Sequence, residues 1–303
     1  MRSFLGLVKR NLLIYFKDIQ AVIFSLLTSI IVFALYLLFL KGTFVNSINS
    51  VTGGLEGFIS EGAIDMFVSG LLLTGVLGSA MITVPFNCLQ TIVKDRETRI
   101  DYDISATPVK RGVIVLSYLV AAIISSIVMT GLILTVGLII IGAKGDMHMS
   151  ASELAGAYGV VVLGSVSAST LFMIVVLFFK SSSAAGAFFG ILSAAAGFVI
   201  GAYIPISEFS PSVQTFCNLF PASHVTILLR EKVLGGVVAS IDKSLNGIDG
   251  GLFAKTIKET FSFNASMFSK SLTEANMVAY IMVIAVVCVG VMVALYSKVY
   301  KRK

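Results

Sequence analysis

The sequence predicts an all-α integral membrane protein with six transmembrane helices, folded as a single domain over residues 1–303. Hydrophobic residues make up 57% of the chain and charged residues only 13%, about half the charged share of a soluble domain. The mean hydropathy is +0.98. Six apolar runs each reach the roughly 20 residues that a helix needs to cross a bilayer. The lipid bilayer is therefore the predicted environment of most of the chain.

The six predicted spans contain no aspartate, glutamate, lysine, arginine or histidine. Transporters driven by proton or sodium gradients generally place such groups at membrane depth. Ion-coupled transport is therefore disfavoured. Hydrolysis within the membrane is disfavoured as well, because the sequence has no GxSxG or HExxH motif. The predicted spans are Ala21–Leu40, Met66–Val93, Val113–Ile141, Ala157–Phe179, Ala184–Tyr203 and Ala275–Ser297.

The distribution of lysine and arginine predicts that both termini are cytoplasmic in a multi-pass protein of the cytoplasmic membrane. With this orientation, the inner segments hold 14 of the 22 basic residues, whereas the two short outer loops hold only Lys41 and Lys144. The other six lie in the long last connection, which contributes little because long loops cross the membrane regardless of charge. The net charge of +6 is therefore assigned to topology, and no nucleic-acid partner is expected.

Cysteine and histidine spacing predicts no metal site. Cys88, Cys217 and Cys288 stand singly in apolar runs, as small buried residues do. His148 and His224 are far apart, in segments that we expect to be hydrophilic or interfacial.

Residues 1–20 are predicted to form an amphipathic helix in the inner headgroup layer. At about 100° per residue, six apolar residues fall on one helix face and four basic residues fall opposite. A helix of this kind lies in the membrane interface. The alternative is an ordinary basic flank of the first span that happens to be helical. The apolar residues are Phe4, Leu5, Val8, Leu12, Tyr15 and Phe16, and the basic ones are Arg2, Lys9, Arg10 and Lys17.

Small residues recur every three or four positions along the fifth span. This spacing lets helix backbones approach closely in lipid. It predicts a packing face, either within one subunit or between two. The residues are Gly186, Gly190, Ala194, Gly197 and Gly201.

A charged connector, residues 94–111, joins the second and third spans and holds nine charged residues. The chain has no GxxxxGK[ST] loop for nucleotide phosphates, so active transport would need energy from another polypeptide. The mixed signs of KDRETR suit a protein-docking surface, and a short helix here would place Ile100 and Ile104 on one side. Pro108 would end that helix, because Thr107 before it is disfavoured in the α region. The alternative is a solvated loop that sets topology.

In this connector the sequence resembles the permease subunits of type-2 ABC (ATP-binding cassette) transporters, whose members carry a segment like E-R-E-x-G-T-x-x-x-L-x-x-T-P-V-x-R. Here the segment begins at Asp95-Arg96-Glu97 and ends in Ala106–Arg111, and it departs at Thr98–Arg99, where a Gly-Thr pair is commoner. The resemblance implies a coupling helix that inserts into a groove on an ABC ATPase subunit. The residues that it implies for this contact are Asp95, Arg96, Glu97, Arg99, Ile100, Ile104, Thr107 and Pro108.

A second stretch that resembles these permeases follows the fifth span. It implies a re-entrant helical pair, residues 204–230, on the extracellular side. Three of the five prolines fall within this stretch, so one straight helix cannot run through it. The alternative is an ordinary extracellular loop with short helices. A longer extracellular insert, residues 231–274, follows it. The residues implied for the re-entrant or exit segment are Gly201, Pro205, Pro211, Phe220, Pro221 and Arg230.

The resemblance implies a permease subunit that has no cofactor of its own, with ATP and Mg²⁺ bound by the partner ATPase. It also implies a second permease copy or a close homologue. We expect export of an amphipathic or hydrophobic cargo, a drug or antimicrobial peptide, across a bacterial cytoplasmic membrane. The alternatives are export of a lipid-linked glycan or other envelope component, and a membrane scaffold or sensor that binds an ATPase without moving cargo.

Overall fold

The computed structural model describes residues 2–35, 42, 60–143, 145, 148–245 and 251–299. Helices dominate this part of the chain. Two short antiparallel strands, β1 (Ala265–Met267) and β2 (Lys270–Leu272), form a hairpin. The helices are α1 (Arg2–Lys17), α2 (Ile19–Leu35), α3 (Glu61–Glu97), α4 (Ile100–Ala106), α5 (Arg111–Gly142), α6 (Ala151–Leu177), α7 (Ser182–Val199), α8 (Pro211–Asn218), α9 (Pro221–Ser244), α10 (Leu252–Thr260) and α11 (Glu274–Val299).

Five helices, α3, α5, α6, α7 and α11, are long and apolar enough to cross a membrane. They correspond to the last five predicted spans, so the all-α membrane class is confirmed. The first predicted span is represented by α2, which has 17 residues. Its predicted remainder, 36–40, lies outside the described residues. The count of six spans therefore stays a prediction.

Helix α3 is the centre of the bundle and contacts α2, α5, α6, α7 and α9. Its 37 residues run between two ends of the bundle. We call these the connector end, which carries residues 94–111, and the insert end, which carries α10 and the β hairpin. Each end has its own apolar core. Phe67 and Leu77 belong to the core toward the insert end, and Phe86 and Leu89 belong to the core toward the connector end.

Two glycines of α3 let α9 pack directly against it. A Cβ atom at Gly70 would lie 2.3 Å from the Leu234 side chain, and one at Gly78 would lie 2.1 Å from Thr226 Oγ1. No side chain fits in either space, which is the close approach that small residues permit in membrane helices. The first ten residues of α9, 221–230, are all buried. Helix α9 therefore lies inside the bundle.

The boundary that we expected between residues 230 and 231 has no counterpart in the structure, because α9 continues to Ser244. The insert beyond α9 packs on the bundle. The rings of Phe261 and Phe263 lie 5.3 and 6.3 Å from the ring of Phe67 in α3. The turn-like sequence at 246–250 lies outside the described residues.

Helix α1 forms as predicted, but its apolar face is divided. Val8 and Tyr15 are buried against the protein, while Leu5 and Phe16 are exposed. The Tyr15 hydroxyl lies 2.8 Å from Ser25 Oγ, which joins α1 to α2. One part of the face therefore packs on the bundle, and the other part is available to lipid. The position of α1 in the headgroup layer stays a prediction.

Candidate coupling site

The connector consists of two helical parts rather than one helix from Asp95 to Pro108. Helix α3 ends at Glu97, a turn follows, and α4 begins at Ile100. Arg99 in this turn has a φ of 65°, in the left-handed region that favours glycine. It belongs to the Thr98–Arg99 pair at which the sequence departs from the permease-like segment. Thr107 is extended, with φ −72° and ψ 156°. This confirms that Pro108 forces the helix to end.

Asp95 is enclosed by the protein, since only 3% of its surface is exposed. Arg10 of α1 donates two hydrogen bonds to its carboxylate, at 2.7 and 2.8 Å. The Tyr118 hydroxyl of α5 donates a third. These contacts hold the pKa of the Arg10 guanidinium above its usual value. The carboxylate thus joins α1, α3 and α5 and is not presented to a partner.

Arg96 turns toward α6. Its Nη1 donates to the carbonyl oxygens of Leu177, at 3.0 Å, and Phe179, at 3.3 Å. A cation is favourable here, because the last carbonyl groups of a helix carry partial negative charge.

Glu97 turns toward α7. The backbone N–H of Ser182, the first residue of α7, donates to Glu97 Oε2 at 3.0 Å. A carboxylate at a helix N-terminus satisfies a free N–H and complements the helix dipole. The side chain of Glu97 otherwise lies at an exposed position.

We call Asp95, Arg96 and Glu97 the hub. Successive residues of a helix point about 100° apart, so the three side chains leave α3 in different directions. Together they bind α1, α5, α6 and α7. The sequence showed the three charges but not their partners. Arg10 and Ser182 are each 85 residues away from the hub residue that they bind, and no sequence spacing signals that contact.

Helix α4 is the exposed part of the connector, and none of its seven residues, all of them described, is buried. Ile100 is 40% exposed and Tyr102 69%. Ile104 instead packs on the core at the connector end, so it does not share an outward side with Ile100. Partial burial raises the pKa of the Asp101 carboxyl. We call Ile100, Tyr102 and Asp103 the docking face.

Thr107 and Pro108, also implied as ATPase contacts, are exposed just after α4. The Thr107 hydroxyl donates to the carbonyl oxygen of Ile104 at 2.6 Å. This bond secures the end of α4 beside the docking face.

A groove of about 620 Å³ separates α2 from α7. The predicted packing glycines divide between the groove and the protein interior. The space beside Gly186 and Gly190 is open, while a Cβ at Gly197 would lie 2.3 Å from the Tyr203 ring. The groove is lined by Ala21, Phe24, Leu27, Ile31, Asn87, Gln90, Gly186, Phe189, Gly190, Ser193, Ala194 and Tyr203.

The segment after α7 changes direction at each of its three prolines. Pro205 precedes a 3₁₀ turn, Ile206–Glu208, and Pro211 and Pro221 are the first residues of α8 and α9. Proline suits this first helix position, where its missing N–H is not needed. The prediction that no straight helix runs through this stretch is confirmed.

Phe220 stands at the N-cap of α9, and Arg230 lies further along that helix with 1% of its surface exposed. Arg230 Nη2 donates to the Gly201 carbonyl at 2.5 Å, and Nη1 donates to that of Phe261 at 2.9 Å. Gly201 has a φ of 68°, which ends α7 and presents its carbonyl to Arg230. The guanidinium therefore joins α7, α9 and the insert.

His224 does not lie in a hydrophilic or interfacial position as expected. It is fully buried, and its Nε2 donates to the Asn218 carbonyl at 2.7 Å. The three cysteines are buried and unbonded to one another, as predicted. Among the described residues, no group of three or more histidine, cysteine, aspartate or glutamate side chains is arranged to hold a metal ion.

These features define a multi-pass membrane protein with an exposed connector helix, which follows directly after a hub bound to several other helices. The family model for ABC-2 type transporters matches residues 2–234. Because this covers well over half of the chain, the protein belongs to the ABC-2 type transporter family, the permease components of ABC transporters. No curated protein matches the chain.

The family match includes the hub, α4, the groove and Arg230, and it ends within α9. Membership implies association with an ABC ATPase subunit, and the chain is the transmembrane subunit of such a transporter.

Proposed function

We propose that the protein is the permease subunit of an ATP-driven exporter in a bacterial cytoplasmic membrane, and that it moves an amphipathic or hydrophobic cargo outward. One observation carries this proposal. The exposed helix α4 follows directly after a hub that binds four other helices. A displacement of α4 would therefore reach most of the connector end at once.

The docking face is the proposed contact for the ABC ATPase, which would bind ATP and Mg²⁺. It combines an exposed isoleucine and tyrosine with an exposed carboxylate. Apolar anchors surrounded by charge are typical of protein interfaces. With the connector facing the ATPase, both termini lie in the cytoplasm. The exposed Leu5, Phe16 and Lys9 of α1 then lie against the inner leaflet.

A second permease copy, or a close homologue, is proposed to pack against the open side of α7. Only 17% of the apolar stretch of α7 is buried within the protomer. Gly186 and Gly190 have open space beside them, and small residues favour close helix contact in lipid. The groove beside α2 would then become part of a pathway between two subunits.

The groove supports an amphipathic cargo. Most of its lining is apolar, with polar groups from Asn87, Gln90 and Ser193. Export of drugs or antimicrobial peptides is the favoured assignment, and lipid-linked glycans or other envelope components are the alternative. The helical pair at 204–230, buried at the start of α9, is proposed to be re-entrant and to form the exit.

The proposal is tested by reconstituting the chain in liposomes with the ABC ATPase encoded nearest to its gene. We expect fluorescent hydrophobic peptides or dyes to move with ATP and to stimulate hydrolysis. An ATPase variant without its Walker lysine is the control. ATP hydrolysis that is indifferent to every cargo, with no cargo movement, would instead favour the scaffold or sensor.

A further inference from the structure

We propose that Glu97 is a positioning residue that transmits connector movement to α7 through the backbone N–H of Ser182. This inference rests on the proposed function and specifies how force reaches the groove. It also changes the role of Glu97 from an ATPase contact to an internal link.

The loop between α6 and α7 is held by charges of both signs from the end of α3. Arg96 binds the carbonyl oxygens of Leu177 and Phe179, and Glu97 accepts from the N–H of Ser182. Each charge meets the helix terminus that it stabilises. A displacement of the hub therefore pulls directly on the start of α7.

The apolar stretch of α7 is mostly exposed, and its packing on α3 includes the rings of Phe188 and Phe189 against Phe86. Only 17% of its apolar stretch is buried, and the space beside Gly186 and Gly190 is open. At the other end, fully buried Arg230 holds the Gly201 carbonyl. With one end fixed by Arg230, movement of the other end pivots α7 and changes the width of the groove.

The contacts of Asp95 and Glu97 differ in burial. This difference suits a fixed contact at Asp95 and a changing contact at Glu97. Asp95 is buried and makes three hydrogen bonds to Arg10 and Tyr118, which favours a permanent contact. Glu97 is exposed and accepts from Ser182, at the start of α7, through its backbone N–H at 3.0 Å. An exposed bond exchanges readily with water, so this contact is the one suited to forming and breaking in each cycle.

The decisive variant is Ser182→Pro, which removes the N–H donor together with the Ser182 hydroxyl and leaves Glu97 unchanged. Proline is favoured at the first position of a helix. Ser181 before it is already extended, with φ −134° and ψ 146°, as a residue before proline must be. We expect normal assembly with the ATPase and retained hydrolysis, but about fivefold less cargo moved per ATP.

Two further variants complete the series. Glu97→Ala should match Ser182→Pro, and the double variant should be no worse than either, because both remove the same bond. Glu97→Gln keeps an acceptor oxygen, so the cargo moved per ATP should fall less than in Glu97→Ala. Ala151→Pro is the matched control, since Ala151 is the first residue of α6 and follows an extended Ser150.

A distance measurement provides a readout independent of transport. Spin labels at Leu27→Cys and Ser193→Cys lie on opposite sides of the groove. We expect their separation to change with ATP in the parent protein and to stay constant in Ser182→Pro. If Ser182→Pro assembles poorly, the label separation is measured in Glu97→Ala and Glu97→Gln instead. We expect it to stay constant with ATP in Glu97→Ala and to change in Glu97→Gln.

Full coupling and full groove movement in Ser182→Pro, with both lost in Glu97→Ala, would overturn the inference and place Glu97 at the ATPase interface. Failure of the proposed function looks different. In that case the parent protein itself shows no ATP-driven transport with its ATPase.

Discussion

Helices α3 and α7 were predicted from the same kind of apolar run, yet they occupy opposite situations in the fold. In α3, 83% of the apolar stretch is buried, and in α7 only 17% is. Helix α3 packs against most of the other long helices, while α7 packs mainly against α3. Hydropathy thus identifies a span, but it does not tell whether the span is a central support or an outer helix.

The difference follows from how small residues are used. Gly70 and Gly78 of α3 are covered by side chains of α9, whereas Gly186 and Gly190 of α7 have open space beside them. Glycine therefore has different roles in the two helices. We propose that α3 is the rigid element of the permease and that α7 is the moving one.

The largest expected effect comes from breaking the buried end of α3. Asp95→Ala leaves the Arg10 guanidinium and the Tyr118 hydroxyl without their acceptor. We expect the free energy of unfolding to fall by about 3–5 kcal/mol, measured by thermal unfolding of the detergent-solubilised protein. Arg10→Met combined with Asp95→Leu and Tyr118→Phe should restore most of the loss, because neither an unpaired charge nor an unpaired hydroxyl remains. A stable Asp95→Ala protein would show that the hub is not a structural centre.

A smaller loss is expected from overpacking α3. In Gly78→Val the new side chain would collide with Thr226, whose Oγ1 lies 2.1 Å from the position of a Cβ atom. We therefore expect the free energy of unfolding to fall by about 1–3 kcal/mol. Gly190→Val, the same change on α7, is the matched control and should unfold like the parent protein. Equal destabilisation by the two variants would contradict the contrast between the helices.

Gly190→Leu tests the open side of α7. The free energy of unfolding of the protomer should fall by less than about 0.5 kcal/mol, as at other exposed sites. Pairing of permease subunits and transport should both decline. Multi-angle light scattering in detergent and transport in liposomes measure these outcomes. Normal pairing and activity would mean that this side of α7 faces lipid.

The smallest effect on folding is expected at the docking face. Tyr102 is 69% exposed, so Tyr102→Ser should leave thermal unfolding unchanged. Loss of the Tyr102 ring should weaken ATPase binding by at least about 1 kcal/mol, a typical loss for an interface anchor. Titration of the purified ATPase onto the permease measures this, with Thr98→Ser as an exposed control nearby. Unaltered binding would move the docking surface elsewhere on the connector.

Local signals predicted much of this structure. The proline at 108 forced the end of α4, the prolines at 205, 211 and 221 produced a broken segment, and the apolar runs produced the spans. Such features depend on near neighbours in the chain. The contacts of the hub, the burial of His224 and the passage of α9 through residue 231 depend on which helices meet, and no local pattern records this. The charge pattern of KDRETR therefore suggested a docking surface, although Asp95 is bound to Arg10 and Tyr118 inside the protein.

The bonds from Arg230 to the insert have an evolutionary consequence. The family match ends at residue 234, yet Arg230, inside it, donates to the backbone carbonyl of Phe261, outside it. Every amino acid supplies such a carbonyl, so mutations near residue 261 preserve this attachment as long as the main chain keeps its course. The outward side chains of the insert can therefore change, for instance toward new surface partners, without loss of this bond.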